Sequence, residues 1–127
     1  MELKAELIRD LLLYSESVPL KGIHDMDEIF NSELLSKYSE DEIIHAISVM
    51  GSNDANLFAS NIQWASDEPY FILVGSPTFE GHKYLDNIRD PEVWKQTKKA
   101  TSKFASVSID VLSSVAASVI TKMLGMG

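Results

Sequence analysis

Apolar side chains recur every three or four positions over residues 2–16, while charged side chains occupy the positions between them. This spacing predicts an amphipathic helix with one face turned to a core. The segment Val18–Gly22 contains a proline and a glycine and predicts the end of that helix. The apolar positions are Leu3, Leu7, Ile8, Leu11, Leu12 and Tyr14.

Two helix starts follow, each marked by a capping residue. Asp25 is a good N-cap, with Glu28 three residues later, and predicts a short second helix. Ser39 and Glu42 form the serine–glutamate pair of a capping box and predict a third helix. Gly51 is a natural terminator for it.

The pattern then changes to two strand-like runs, residues 57–64 and 70–74, separated by a turn-rich linker at 65–69. The simplest arrangement is an antiparallel hairpin. Beyond it, Ser76 or Thr78 is expected to cap a fourth helix.

Asp90 and Pro91 predict a further start, with the proline at the first helical position. This order predicts an α+β, mostly α fold: a winged-helix-like domain of three helices plus a β-hairpin wing, followed by additional C-terminal helices. Residues 40–50 occupy the recognition-helix position and residues 57–74 the wing. The predicted domains are 1–90, the winged-helix-like part, and 91–127, a C-terminal extension with a basic helix at 92–103 and an apolar helix at 104–124.

One motif resembles the closing motif of a known family. Its residues, interpreted as structural, are Thr78, Gly81, His82, Leu85, Asp86, Ile88, Arg89 and Trp94. The similarity runs backwards through residues 38–45 and forwards into the tail, so it covers nearly the whole chain. The family is domain of unknown function 2513, from phages, prophages and Gram-positive bacteria. The resemblance implies a winged-helix-like fold and a phage or prophage setting, with no established activity. The loop at 51–56 departs from the tighter glycine turn expected there.

Charge is unevenly distributed along the chain, whose net charge is −8. Residues 1–90 carry a net charge of −11 and residues 91–127 one of +3. A polyanion such as DNA should therefore be repelled by the first part. The chain has no cysteine, which excludes disulfides and thiolate chemistry, and no signal peptide is evident at its start. We therefore expect a cytoplasmic protein.

The recognition position itself argues against DNA binding. Its first residues are Glu40, Asp41 and Glu42, and no lysine or arginine lies between Lys37 and Lys83. Phosphate contacts normally supply most of the affinity for DNA. The remaining candidates for partner or nucleic-acid contacts are on the basic helix: Lys95, Lys98, Lys99 and Lys103.

Candidate chemistry is sparse. His82 lies between Glu80 and Asp86, so a general base oriented by a carboxylate is one interpretation. A partly buried histidine that packs its helix onto the hairpin is the more common case. His24 and His45 are the other histidines, and no ligand spacing links the three. We predict no catalytic residue, cofactor or metal.

The apolar tail, residues 104–124, has the length of a membrane span. Asp110, Lys122 and five serines make insertion costly, so membrane association is disfavoured. A helix with this much apolar surface must bury it, either against its own domain or against another chain. A homodimer built on this helix is favoured. The oligomerisation candidates are Val111, Val115, Ala117, Ser118 and Ile120.

Three functions remain open. The favoured one is a non-enzymatic protein-interaction or regulatory module on a winged-helix scaffold with an unknown protein partner. The alternative is a dimeric DNA-binding transcription regulator that uses the basic helix 92–103. The third is an enzyme centred on His82, which would need a cleft and a second polar group nearby.

Overall fold

The computed structural model describes residues 1–125, which form six helices and one two-stranded antiparallel sheet. The predicted α+β, mostly α class is confirmed. These residues divide into two units, Met1–His82 and the part from Lys83 onward. The predicted boundary at residue 90 stays a prediction. The elements are α1 (Ala5–Ser17), α2 (Met26–Phe30), α3 (Glu40–Met50), β1 (Phe58–Ala65), β2 (Glu68–Pro77), α4 (Phe79–Ile88), α5 (Pro91–Thr101) and α6 (Ile109–Met123).

Both predicted helix starts of the first unit are confirmed by their hydrogen bonds. The Asp25 carboxylate accepts from the Glu28 amide at 3.2 Å. The Ser39 hydroxyl accepts from the Glu42 amide at 3.1 Å, and the Glu42 carboxylate accepts from the Ser39 amide at 3.0 Å. The capping box satisfies two amides that lack an intrahelical partner, and α3 ends at Gly51 as expected.

The core of the first unit lies among α1, α3 and the hairpin. Fully burying an aliphatic or aromatic side chain of this size contributes roughly 1.5–3 kcal/mol. The amphipathic pattern of α1 therefore fixes which of its faces packs on α3 and β2. The largest side chains with less than 2% exposure here are Leu7, Leu11, Leu12, Ile29, Leu35, Ile43, Ile47, Met50, Phe58 and Ile72.

The hairpin is longer and its turn tighter than predicted. Ala65 pairs with Glu68, so only two residues form the turn, and the expected linker at 65–69 is wrong. Ser66 makes this possible by adopting a left-handed conformation, with φ of 60°. A register shift between Gln63 and Trp64 then brings Pro69 into β2.

The second unit begins within α4, and its two remaining helices start at the caps Asp90 and Ser108. The Asp90 carboxylate accepts from two amides at 3.0 Å, as predicted, and Pro91 stands first in α5. Ser108 accepts from the Val111 amide at 3.2 Å. The predicted helix over 104–124 is therefore wrong at its start, because α6 has only 15 residues from Ile109.

The segment 102–108 between these helices is not helical. Ser102 turns back to the Lys99 carbonyl at 2.8 Å, a local bond that competes with helix continuation. The predicted basic helix 92–103 accordingly ends at Thr101, which leaves Lys103 outside it. Within residues 1–125, no helix combines the length and apolar character that crossing a membrane requires.

Helices α5 and α6 pack on each other. The buried residues of α6 include the small side chains Ser113 and Ala116. A side-chain bond also ties α4 to α6, from the Asn87 amide to the Ser113 hydroxyl at 2.7 Å. The buried side chains of the two helices are Val93, Trp94, Thr97, Leu112, Ser113 and Ala116.

Candidate functional site: the lysine groove of α5 and α6

An open groove of about 650 Å³ lies along α5 and α6 and is bordered by three lysines. Lys95 and Lys99 come from α5, one turn apart, and Lys122 comes from the last turn of α6. We call this the lysine groove. Its other lining residues are Glu92, Gln96, Ala100 and Val119.

The local sequence explains why these lysines face the groove. Val93 and Thr97, four residues apart, are buried and set the rotation of α5. At 100° per residue, Lys95 and Lys99 fall on the side of the helix away from that buried pair. Ser108 then begins α6 so that its final turn brings Lys122 beside them.

The structure separates the four lysines that the sequence grouped together. Lys95 and Lys99 border the groove, whereas the Lys98 ammonium lies 5.8 Å from the centre of the Trp94 ring. Lys103 lies beyond α5, with its ammonium 5.3 Å from the centre of the Phe104 ring. Such cation–π contacts hold a lysine against the surface of its own chain.

The groove has a positive electrostatic balance in an otherwise acidic protein. Three ammonium groups face one carboxylate, that of Glu92, which accepts a hydrogen bond from the Gln96 amide at 3.1 Å. These side chains are exposed, so each ionic contact with a ligand is screened by water and salt. The arrangement can bind carboxylates or phosphates with salt-dependent affinity, and apolar Val119 and Ala100 offer limited contact area.

The start of α3 and the turn of the hairpin present the opposite charge. Glu40 and Asp41 are exposed at the start of α3, and the turn of the hairpin exposes Asp67 and Glu68. Glu42 forms an ion pair with Lys4 across α1 and α3. The hydrogen bonds from Lys4 and from the Ser39 amide lower the pKa of Glu42 to about 2. The Glu42 carboxylate therefore keeps its negative charge at mildly acidic pH.

The side chains proposed for oligomerisation are only partly free on α6. Val111 is 46% exposed and Ser118 is exposed, whereas Val115, Ala117 and Ile120 are half-buried. The face beside them packs within the chain, because α6 lies on α5. The apolar surface of α6 is thus buried partly by its own unit, as one of the two alternatives predicted from the sequence.

Gly81 lies in close contact with the backbone of the loop before β1. A Cβ atom there would lie 2.9 Å from the Leu57 carbonyl carbon and closer still to its oxygen. Thr78 holds the same junction, since its hydroxyl donates to the Asn56 carbonyl at 2.6 Å and accepts from the Gly81 amide at 3.2 Å. Both motif residues fix the start of α4 against the loop before β1.

The rest of the motif divides between buried and exposed positions. Leu85, Ile88 and Trp94 are buried, and the Arg89 guanidinium donates to the exposed Asp86 carboxylate at 3.1 Å. His82, expected to be partly buried, is instead exposed. Residues 1–125 contain no cluster of three histidine, aspartate or glutamate side chains placed to hold a metal ion.

Lys122 is the member of the groove that sequence reasoning missed. In the sequence it served only as an argument against a membrane span. Its distance along the chain from Lys95 gives no hint of proximity, because the packing of α5 on α6 decides it. The sequence feature that could have indicated this proximity was the position of Lys122 in the last turn of a helix whose small residues permit close packing.

Comparisons with known proteins identify a family and one relative. The model of the DUF2513 family, described as "Hypothetical protein", matches residues 2–108. An uncharacterised protein of Haemophilus influenzae is 30% identical over 127 aligned residues, which cover 94% of this chain and 95% of the relative. No solved structure matches the chain. The family match includes α5 and ends just before α6.

Proposed function

The chain belongs to the DUF2513 family of hypothetical proteins, and we propose that it is a non-enzymatic protein-interaction or regulatory module on a winged-helix-like scaffold. Its partner is a protein with an acidic segment, which binds in the lysine groove. The observation that carries this proposal is the convergence of Lys95, Lys99 and Lys122 around one groove in a chain of net charge −8.

Element order supports the winged-helix part of the proposal. Ile23, between α1 and α2, forms an isolated antiparallel bridge with Val74 on the outer edge of β2. Both of its backbone bonds to Val74 are 2.9 Å long. Helix, bridge, two helices and hairpin follow one another as in a winged helix, with α3 in the recognition position. The fold alone does not decide function.

The acidic face of α3 argues against duplex binding there. A recognition helix presents its N-terminal residues to base edges and phosphates. Here those residues are the exposed Glu40 and Asp41, and the paired Glu42 keeps its charge. Repulsion of phosphates at this face leaves protein surfaces as the better class of partner.

The groove suits carboxylate side chains better than a duplex. It is short, about two turns of α5 plus the end of α6, and includes one carboxylate of its own. A duplex presents a long row of phosphates, and its affinity depends on many simultaneous contacts. Two or three carboxylates of a flexible peptide match three ammonium groups more closely.

Fluorescence anisotropy of a labelled glutamate-rich peptide, titrated with the full chain at low salt, tests the proposal. Lys95→Gln combined with Lys99→Gln should weaken binding about 2- to 30-fold, since two exposed ionic contacts are lost. The matched control is Lys98→Gln combined with Lys103→Gln. It changes net charge equally, in the same region of the chain, but lies outside the groove.

If both double variants weaken peptide binding equally, the decrease reflects net charge alone, which contradicts a binding site in the groove. No peptide binding at low salt would contradict the proposal as well. A labelled random-sequence duplex, titrated in parallel, tests the second candidate, a dimeric DNA-binding regulator using α5. That candidate is favoured by the same three lysines, and it replaces the first if the duplex binds more tightly than the peptide.

We also propose a homodimer built on α6, supported by the 46% exposure of Val111. Val111→Lys should then lower the sedimentation coefficient at high protein concentration. A phage or prophage setting, which the sequence resemblance implies, belongs to the same proposal, as does a cytoplasmic location, which the cysteine-free composition favours. An enzyme centred on His82 is the weakest candidate, since this side chain is exposed.

A further inference from the structure

Strand β1 has one open edge. In residues 1–125 the sheet has two strands, so β1 pairs with β2 alone, while the outer edge of β2 takes the bridge from Ile23. Close to its start, β1 is covered by the end of α3, where the Ser60 hydroxyl donates to the Gly51 carbonyl at 3.0 Å. The segment 61–65 extends beyond that cover.

This edge lacks the features that normally keep exposed strands apart. Proteins protect such edges with charged side chains, especially lysine, or with proline. No charged residue or proline occurs from Ala55 to Ser66, in a chain where 24% of residues are charged. The extra residue at the register shift between Gln63 and Trp64 is Tyr70 of β2, so this bulge does not lie in β1. The large aromatic side chain of Trp64 is 50% exposed.

A groove of about 480 Å³ runs beside this edge, between the end of α3 and β1. Its lining is uncharged, and Ile62 and Trp64 border it from the strand. The space can therefore receive side chains of a strand added to β1 without burying a charge. The α3 side of the groove is lined by Ile47, Ser48, Gly51, Ser52 and Asn53.

We propose that the open edge of β1 pairs antiparallel with β1 of a second copy of this chain, so that two hairpins form one four-stranded sheet. The absence of charge on this edge favours a second copy of the chain as the partner. Two copies of net charge −8 repel each other overall, and the uncharged segment 55–66 is a surface where they can approach without adding to that repulsion.

Symmetry also favours a second copy of the chain as the partner. An antiparallel pair of identical strands is related by a twofold axis, which is the commonest symmetry of soluble dimers. Each copy would offer the same main-chain donors and acceptors to the other. The contact is short, about the length of 61–65, so we expect a weak, concentration-dependent dimer in the micromolar to millimolar range.

Sedimentation velocity of the full chain, from about 10 μM to about 1 mM, tests the proposal in the range where small interfaces dissociate. The dimer fraction should rise with concentration. It should also rise with added salt, because salt screens the repulsion between two acidic copies while the pairing edge carries no charge.

Gln63→Lys places a charge on the edge at an exposed position, and should raise the dimer Kd at least 10-fold. The matched control is Ser36→Lys, which adds the same charge at an exposed position away from β1. Circular dichroism of each variant verifies that the hairpin is intact. A second readout is Trp64 fluorescence in a Trp94→Phe background, which should shift to shorter wavelength as the dimer forms.

Three results would overturn the proposal. One is a monomer throughout the concentration range. Another is a dimer that Gln63→Lys leaves unchanged and Val111→Lys removes, which assigns the contact to α6. The third is a dimer that dissociates as salt is added, which assigns it to the lysine groove and an acidic surface of the second copy.

Discussion

Gly81→Ala is the most direct test of the junction between α4 and the loop before β1. The added Cβ would meet the backbone of Leu57, with the Pro77 Cβ at 3.2 Å on the other side. A backbone carbonyl cannot rotate away as the end of a flexible side chain can. The start of α4 must therefore move, or the loop must.

The expected change in the free energy of unfolding is the sum of opposing contributions. Alanine inside a helix is about 1 kcal/mol more favourable than glycine. Overpacking costs about 1–3 kcal/mol. The movement also weakens the Thr78 bonds to the Leu57 and Asn56 carbonyls, of 3.0 and 2.6 Å, at about 0.5–1.5 kcal/mol each. The net effect is a destabilisation of about 3 kcal/mol, or a Tm lower by roughly 10 °C.

Urea and thermal unfolding, followed by circular dichroism, measure this difference. His82→Ala is the matched control, since it changes the next residue of the same helix, where the side chain is exposed. It should alter stability by less than about 0.5 kcal/mol. A Gly81→Ala variant that is as stable as the wild type, or more stable by the alanine preference alone, would refute the close approach.

Three further perturbations test other parts of the first and second units. Tyr38→Phe removes the 2.7 Å bond to the buried Asp10 carboxylate and should destabilise the fold by about 1–3 kcal/mol in urea unfolding; an unchanged midpoint contradicts that bond. The pKa of Glu42 is about 2 when folded against an ordinary value of 4.5, so its contribution is present above 4.5 and is lost as pH falls toward 2. Glu42→Gln should flatten the decline in Tm over that window, and an unaltered slope refutes the assignment. Asp90→Ala removes the α5 cap and should lower the free energy of unfolding in urea by about 0.5–2 kcal/mol. Asp86→Ala, the control, changes an exposed carboxylate that caps no helix and should lower it by less. Equal decreases in the two variants contradict the capping role.

Helix starts were predictable because their cause is local. Ser39 and Asp90 each bond to amides two or three residues away, so the sequence contains both partners. The start of α6 was missed although Ser108 caps it in the same way. Several serines precede it, each able to form such a cap, and the apolar pattern begins before the helix does.

The site was less predictable because its cause is not local. Lys95 and Lys99 share a side of α5 by helical spacing, which the sequence shows. The addition of Lys122 depends on how α5 packs on α6, and the separation of Lys98 depends on the Trp94 ring. The open edge of β1 was likewise invisible, since a hairpin pattern does not say which strand is covered by a third.

Salt separates the two interaction surfaces proposed for this chain. Binding of an acidic segment at Lys95, Lys99 and Lys122 should weaken as salt rises, because the attraction is between exposed charges. Pairing through the uncharged β1 edge should strengthen, because salt removes the repulsion between copies. The two responses have opposite signs and come from different units of the chain. A single salt series, read by peptide anisotropy and by sedimentation, can therefore support one proposal while contradicting the other.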